Sequence, residues 1–375
     1  MKDCILKHGY VGNTNPAILS YLCIVSALLD NPVSLLIKGA SGAGKSFALK
    51  AGQRYVPEEA FSEFHAMSEK ALAYMGDTLD LKHRTLIIQE AAGWGSGDGR
   101  VFLRQLLTEG SIKYATVQST KAGLEASTLP PVEGPCSVIM TTTSNRLHQE
   151  DENRFLSYTV EEGAEYIREV LMAQAMGTVT QPSAEELQPF HDHYRKLREG
   201  RFKVVVPFAD QIVALLPARH LRIMRDFPKV LSLIQTVALL HCFERERDQN
   251  GAVIATLEDY GVVRSLLEDM LARGLGLSTP DGVKAVVEAV TEMTSSDGHW
   301  KHGVFETVSQ RQVADLLNID PGVVSRNVKA AVHEGYLIDD NPGQGKTARL
   351  KIGETKVSFG SVLPEVQKLR MPEFA

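Results

Sequence analysis

Residues 39–46 have the types and the spacing of a phosphate-binding loop. Their sequence, Gly-Ala-Ser-Gly-Ala-Gly-Lys-Ser, fits the pattern G-x-x-x-x-G-K-[ST] and follows an apolar run, residues 33–37. In such a loop, glycines let backbone N–H groups surround phosphates where a Cβ would clash, the lysine reaches the β- and γ-phosphates, and the last hydroxyl binds Mg²⁺. A glycine-rich turn with a chance lysine is the less favoured alternative. The residues predicted to bind ATP are Gly39, Ala40, Ser41, Gly42, Ala43, Gly44, Lys45 and Ser46.

Glu90 ends a second apolar run, residues 85–88, and is the predicted general base. ATP hydrolysis needs an acidic residue at the end of a neighbouring strand, where it helps to position Mg²⁺ and polarises the attacking water. Gln89 stands where the usual pattern has an Asp, so the metal must rely on Ser46, Glu90, waters or another residue. The alternative is an ordinary surface glutamate, but the small residues that follow Glu90 favour the catalytic role.

Two further polar residues are candidates for contact with the γ-phosphate. Asn145 follows a third apolar run, residues 137–140, and polar residues at the carboxyl ends of parallel strands face the ligand crevice. A simple turn residue is the alternative for Asn145. Arg154 is placed to project from one subunit onto the γ-phosphate of a neighbour, where it would neutralise charge in the transition state. Arg104 and Arg146 compete for that role.

The composition is that of a globular protein with more than one domain. The chain has 375 residues, 43% of them hydrophobic and 23% charged, and its net charge is −6. An acidic chain confines any nucleic-acid site to local basic patches. Its four cysteines lie far apart, which argues against a zinc site or a disulfide framework and predicts a cytoplasmic protein. Neither a secretory signal nor a long apolar span is present, so no membrane partner is expected.

Apolar runs alternate with helical patterns in the first part of the chain and predict an α/β fold with a parallel sheet covered on both faces. Residues 111–118 alternate like one arm of a β-hairpin. The pattern then becomes helical, with a capping box at Ser183 and Glu186 and long helices over 221–243 and 257–271. The predicted domains are a nucleotide-binding core at 1–165, a helical linker and lid at 166–278, and a third domain at 279–375.

The third domain has the order of elements of a winged helix-turn-helix. A helix over 283–293, a short strand at 304–306 and a helix from 309 precede a recognition helix over 323–334, and a two-stranded wing follows. Basic residues gather on the last helix and the wing, where they would contact DNA phosphates, although winged helices also dock proteins. The candidate DNA contacts here are Arg326, Lys329, Lys346 and Arg349.

The order of the phosphate loop, Glu90, the hairpin, Asn145, Arg154, the lid and the winged helix resembles the AAA+ ATPases. The resemblance covers nearly the whole chain and is nearest to the hairpin-bearing branch that contains minichromosome-maintenance-type helicases. It implies a ring, usually a hexamer, with ATP sites between subunits and a pore hairpin that holds DNA. In the family's terms, Lys45 and Ser46 match Walker A and Glu90 matches the Walker B glutamate.

The resemblance also implies roles for residues outside the phosphate loop. Asn145 matches sensor 1 and Arg154 the arginine finger, and the segment with Arg222 and Arg225 is similar to lids whose arginine is sensor 2. Two departures from the family pattern are Gln89 in place of the family's Asp and the expectation, from the sequence, of no separate N-terminal DNA-binding domain. Lys113 and Lys121 are candidates to touch DNA in the pore, although a solvated loop with scattered lysines explains them almost equally well.

The function expected from these features is ATP-driven DNA translocation or unwinding by an oligomeric ring. Residues 106–114 are similar to a segment of mobile-element ATPases, so the expected setting is replication of such an element, with its other replication proteins as possible partners. Two rivals stay open. One is an ATP-switched initiator or loader, and the other is a transcription regulator whose ATPase remodels a protein partner.

Overall fold

The computed structural model describes residues 1–68, 70–76, 78–90, 98–120, 123–143, 149–160, 163–216, 221–275, 279, 281–294, 305–341, 347–354 and 361–372. The chain divides into two compact units. The first comprises Met1–Met270 with Leu363–Ala375, and the second is Leu271–Val362. The boundary expected near residue 165, between core and lid, stays a prediction.

Helices and strands are numbered along the chain. The helices are α1 Lys2–Lys7, α2 Asn15–Ser26, α3 Lys45–Gln53, α4 Ala71–Tyr74, α5 Asp98–Glu109, α6 Gln149–Glu152, α7 Ala164–Ala175, α8 Ala184–Gly200, α9 Ala209–Leu215, α10 Ile223–Leu240, α11 Leu257–Gly274, α12 Asp281–Thr294, α13 Gln310–Leu317 and α14 Pro321–His333. The strands are β1 Leu35–Lys38, β2 Phe61–Phe64, β3 Arg84–Ile88, β4 Ser111–Ile112, β5 Ala115–Thr120, β6 Gly123–Thr128, β7 Val132–Glu133, β8 Cys136–Thr142, β9 Leu156–Thr159, β10 Val204–Val205, β11 Val253–Ile254, β12 Leu337–Asp339 and β13 Leu350–Ile352.

A five-stranded parallel sheet forms the centre of the first unit, with the order β2-β3-β8-β1-β9. Its inner strands are apolar on both faces, as parallel strands covered by helices must be. Leu36, Leu86 and Val138 belong to a buried cluster with α4 and α5, and α2 packs against β1, β3 and β8. The sheet brings the carboxyl ends of β1, β3 and β8 to one edge, with β8 between the other two.

The three strands predicted from apolar runs are confirmed, and two edge strands were missed. Strand β2 has the sequence Phe-Ser-Glu-Phe and is half-buried throughout, and β9 alternates between buried and less buried residues. Short strands of mixed polarity give no continuous apolar run, so the sequence carries too weak a signal for them.

The predicted hairpin is present. Strands β5 and β6 pair antiparallel, with Ala115 opposite Thr128 at one end and Thr120 opposite Gly123 at the other. Strand β4 pairs with β7 at the base of the hairpin. The predicted arm is divided, because β4 ends at Ile112 and β5 begins at Ala115. Val117 and Leu124 on the hairpin are 63% and 78% exposed.

Helix α8 begins with the capping box that the sequence predicts. At the start of α8 the Ser183 hydroxyl accepts from the Glu186 backbone N–H (3.2 Å), and the Glu186 carboxylate accepts from that of Ser183 (2.9 Å). Such a cap contributes about 1 kcal/mol to helix stability. None of the helices in the described part of the chain combines the length and the apolar character that a membrane span requires.

The last described residues return to the first unit. The Tyr260 hydroxyl on α11 donates to the carbonyl of Pro364 (2.5 Å), and Glu268 accepts from the backbone N–H of Leu363 (3.1 Å). Gln211 exchanges two hydrogen bonds with the backbone of Arg370. Residues 363–372 therefore pack on α9 and α11.

The second unit contains α12, α13, α14 and the antiparallel pair β12–β13 around one apolar cluster. The strand predicted at 304–306 is wrong for the two of its residues that the structure describes, Phe305 and Glu306. The Phe305 N–H donates to the carbonyl of Met293 at the end of α12 (3.0 Å), so it is not available to a ladder. A single bridge between Val308 and Leu350 takes the place of that strand.

Candidate functional site

The phosphate loop joins β1 to α3 and requires glycine for reasons of backbone conformation. Gly42 and Gly44 have φ angles of 83° and 84°, in the left-handed region that glycine adopts without strain. A Cβ on Gly42 would meet nothing within 4 Å in the protein, whereas one on Gly44 would lie 3.0 Å from the Tyr166 hydroxyl. Within the protein, the φ angle is therefore the constraint at Gly42, and the expected clash of a Cβ with bound phosphates stays a prediction.

Lys45 is the first residue of α3, and its side chain folds back over the loop. It is 9% exposed, and its ammonium donates to the carbonyls of Gly39 (2.9 Å) and Ala40 (2.6 Å). A nearly buried ammonium at a helix N-terminus, behind a loop with left-handed glycines, fits the needs of a triphosphate. Ser46 follows in the first turn, where its hydroxyl is a suitable ligand for a Mg²⁺ that accompanies ATP.

Glu90 lies at the carboxyl edge of the sheet in an unusual backbone conformation. It is exposed, its φ is 55°, and its backbone N–H donates to the Thr141 hydroxyl of β8 (3.2 Å). A non-glycine residue with positive φ is uncommon and persists only where its surroundings hold it. The Thr141 contact connects Glu90 to the strand that lies next to β1, which carries the phosphate loop.

Gln89 is hydrogen-bonded to Glu63 of β2, a residue that the sequence analysis did not single out. Its side-chain amide donates to one carboxylate oxygen of Glu63, and Gln53 at the end of α3 donates to the other (2.9 Å). Gln89 is 8% exposed. The position where the AAA+ pattern has an acid thus holds a neutral amide bonded to an acid on the adjacent strand. Glu63 lies in a short strand of mixed polarity, so no motif marks it.

Two of the residues expected near the γ-phosphate, Asn145 and Arg146, lie outside the described residues. The strand before them ends in Thr141 and Thr142, both about 1% exposed. The placement of Asn145 as a sensor stays a prediction.

Arg154 follows α6 and contacts α5. Its Nε donates to the Thr108 hydroxyl (3.0 Å), and the side chain is half-buried. Its competitor Arg104 forms an ion pair with Asp151 (2.9 Å), and Arg100 pairs with the same carboxylate. Asp151 therefore neutralises arginines of α5, and Arg154 bonds a hydroxyl on that same helix.

The predicted sensor arginines lie at the start of α10. Arg222 pairs with Asp226 (Nε to Oδ2, 3.0 Å), whose side chain is 3% exposed, while Arg225 is exposed. Lys229 contacts the other oxygen of Asp226 (2.9 Å). Burial lowers the pKa of Lys229 below its ordinary value, and the Asp226 carboxylate opposes that shift.

Aromatic residues missed by sequence analysis lie beside the phosphate loop. Tyr10 stacks on Phe47 of α3 with ring centroids 5.4 Å apart. The ring of Tyr166 approaches Gly12, where an added Cβ would lie 2.7 Å from it. Isolated tyrosines and glycines carry no motif, so only the fold brings them to the loop. Their flat apolar faces suit contact with a nucleobase.

The DNA candidates fall into two groups, one in each unit. In the first unit, Lys113 is exposed between β4 and β5 at the base of the hairpin, and Lys121 lies outside the described residues. In the second unit, Arg326 and Lys329 are exposed on α14, whose buried face includes Val324 and Val328.

The wing residues complete the second group. Arg349 is exposed directly before β13, and Lys346 lies outside the described residues. Lys351, the next basic residue, pairs with Asp340 (2.5 Å).

The comparisons with known proteins find similarity only among solved structures. No protein family and no curated protein matches the chain. An active helicase, Cch of SCCmec type IV, is 12% identical to this chain with a TM-score of 0.39. The aligned region covers 91% of this chain and 66% of the helicase chain. The RuvB Holliday junction branch migration motor of Thermotoga maritima is 13% identical with a TM-score of 0.27, covering 92% of this chain and 93% of that one. At these scores the likenesses carry no argument about function.

Proposed function

We propose that this chain is an AAA+ ATPase in which Lys45 and Ser46 hold the phosphates and the metal and Glu90 is the general base. The observation that carries the proposal is the convergence of the phosphate loop and Glu90 at one edge of the parallel sheet, where Glu90 is bonded to Thr141 of β8, the strand next to β1. Ligands of open parallel sheets bind at the carboxyl ends of the strands. Mg²⁺, when bound, would offset negative charge that develops on the phosphates.

In this proposal the residues divide the chemistry among themselves. The Lys45 ammonium leaves its loop carbonyls for the phosphate oxygens, because a charged oxygen is a stronger acceptor than a carbonyl. The Glu90 carboxylate accepts the proton of the attacking water, and its exposed position gives it access to that water. Tyr10, Phe47 and Tyr166 hold the base.

Arg154 is proposed to act on the ATP of a neighbouring subunit in a ring, with a hexamer as the expected assembly. Arg104 is fixed within its own subunit by its ion pair with Asp151, and Arg154 is proposed from its place in the AAA+ order of elements. An arginine supplied in trans would make hydrolysis depend on assembly.

We further propose that hydrolysis drives DNA translocation or unwinding in the replication of a mobile element. The hairpin β5–β6 projects the exposed side chains of Val117 and Leu124, with Lys113 at its base, and exposed apolar groups together with a cation suit a single strand. The cations on α14 supply a second surface for phosphates, proposed to belong to a winged helix.

The deciding experiment is strand displacement on a tailed duplex with ATP, using the Lys45→Ala variant as the inactive control. Displacement by the wild type, with DNA-stimulated hydrolysis, supports the motor. A defined footprint without displacement favours an initiator or a regulator instead. Imaging with a non-hydrolysable ATP analogue tests the ring, because a persistently monomeric protein would contradict shared ATP sites.

A further inference from the structure

Lys229 on α10 binds the backbone on both sides of Arg154. Its ammonium donates to the carbonyl of Asn153 (2.8 Å) and to that of Phe155 (3.0 Å), more than seventy residues earlier in the chain. The Phe155 side chain is 2% exposed and lies in the apolar cluster beneath the sheet. The segment is therefore held by its own side chain at Phe155 and by an ammonium from another helix on either side of Arg154.

The third bond of Lys229 connects this segment to Arg222. An ammonium has three donors, and the third goes to Asp226, whose other oxygen pairs with Arg222. The side chains of Lys229 and Asp226 are only 12% and 3% exposed. Charges this buried are costly unless each hydrogen bond is made, so the geometry of the network is tightly constrained.

We propose that Lys229 is a positioning residue, which fixes the backbone position of Arg154. Through Asp226, this backbone position also depends on whether Arg222 is paired with Asp226 or with a phosphate. The inference rests on the proposed roles of Arg154 as a finger in trans and of Arg222 at the nucleotide. When Arg222 turns to a phosphate, Asp226 loses one of these two partners and keeps Lys229, and the bonds of Lys229 to the two carbonyls change with it. Nucleotide bound in one subunit thereby changes the position of the Arg154 that this subunit presents to the next subunit.

A purely structural role makes different predictions from a positioning role. If Lys229 only stabilises the fold, its loss lowers activity in proportion to unfolding, and no other subunit compensates. If it acts through Arg154, the defect lies in what the subunit gives its neighbour. Its own nucleotide site then stays competent.

The test uses Lys229→Met, which keeps most of the side chain's length without donors, with Lys196→Met on the exposed face of α8 as the control. We expect the ATPase rate of Lys229→Met to fall by about 10²-fold, because small displacements of a catalytic group cost that much. Its affinity for a fluorescent ATP analogue should be unchanged. Lys229→Arg, which retains cation and donors, should recover part of the rate.

Mixing separates the two roles. Lys45→Ala subunits bind no ATP but carry an intact Arg154, so they should restore hydrolysis to Lys229→Met subunits at hybrid interfaces. The double variant Lys229→Met with Arg154→Ala should be no slower than Arg154→Ala alone. Absence of rescue, or additive losses in the double variant, overturns the positioning role.

Two further outcomes keep the inference distinct from the function on which it rests. Loss of activity in Arg154→Ala but not in Lys229→Met refutes the inference alone, while normal activity in Arg154→Ala refutes the finger and the inference together. If Lys229→Met does not fold, Asp226→Asn replaces it, because the amide oxygen still accepts from Lys229 while the charge that holds Arg222 is lost. A rate loss that Lys45→Ala subunits rescue is expected there too, and an unchanged rate contradicts the coupling.

Discussion

The phosphate loop and the Arg154 segment differ in how far along the chain their supporting contacts lie. Lys45 is held by carbonyls five and six residues before it, within the loop itself. Arg154 contacts Thr108, 46 residues away, and the carbonyls beside it bind Lys229, 76 and 74 residues away. The loop is thus held by local contacts. The arginine segment is held by tertiary contacts, so a change in α5 or α10 can disturb it. The loop should fail only when its own residues change.

The largest effect should come from Lys45→Ala, which tests the locally held loop. Removing the one ammonium that folds over the loop should abolish ATP binding and hydrolysis together, since no other cation of the loop replaces it. Titration with a fluorescent ATP analogue measures this. Lys50→Ala, an exposed lysine on the same helix, is the matched control and should bind normally; tight binding by Lys45→Ala would refute the assignment.

Arg154→Ala tests the segment held by tertiary contacts. Hydrolysis should fall on the order of 10³-fold, as for other arginines supplied in trans, with nucleotide affinity retained. Steady-state ATPase rates measure the loss, and mixing with Lys45→Ala subunits should restore part of the activity. Arg104→Ala is the comparison variant and should lose less. No recovery at any mixing ratio would count against a shared site.

Glu90→Gln should lower hydrolysis by about 10²-fold or more while ATP still binds, because the amide keeps the shape but cannot accept the proton. Single-turnover hydrolysis measured beside analogue binding separates the two steps. Glu109→Gln should be nearly unaffected. If Glu109→Gln loses hydrolysis and Glu90→Gln does not, Glu109 is the general base and the assignment of Glu90 is wrong.

The smallest effects should come from the DNA contacts, which compare the two units. Arg326→Ala with Lys329→Ala should weaken DNA binding and reduce its salt slope by about two, one for each lost phosphate contact. Lys113→Ala with Lys121→Ala should spare initial binding and stop DNA-stimulated hydrolysis. Salt-titrated affinity and stimulated ATPase measure both. An unchanged slope for the first pair would make the second unit a protein docking module.

The sequence predicts the local features of this molecule well and the tertiary ones poorly. The phosphate loop, the apolar strands and the capping box at Ser183 each depend on a few neighbouring residues, and the structure has the strands and the box. Glu63 and Lys229 have no local signature, because their roles come from strand order and helix packing. The strand expected at 304–306 failed for the same reason, since a contact with the end of α12 decides that backbone.

The return of the chain to the first unit has a consequence for dissecting the molecule. Leu363 binds Glu268, so the points where the chain leaves and re-enters this unit are neighbours. Truncation at residue 270 would strip Tyr260 and Gln211 of their partners. Excising 271–362 and splicing the flanks with a short linker would preserve those contacts. The proposed ATPase activity could then be assayed without residues 271–362.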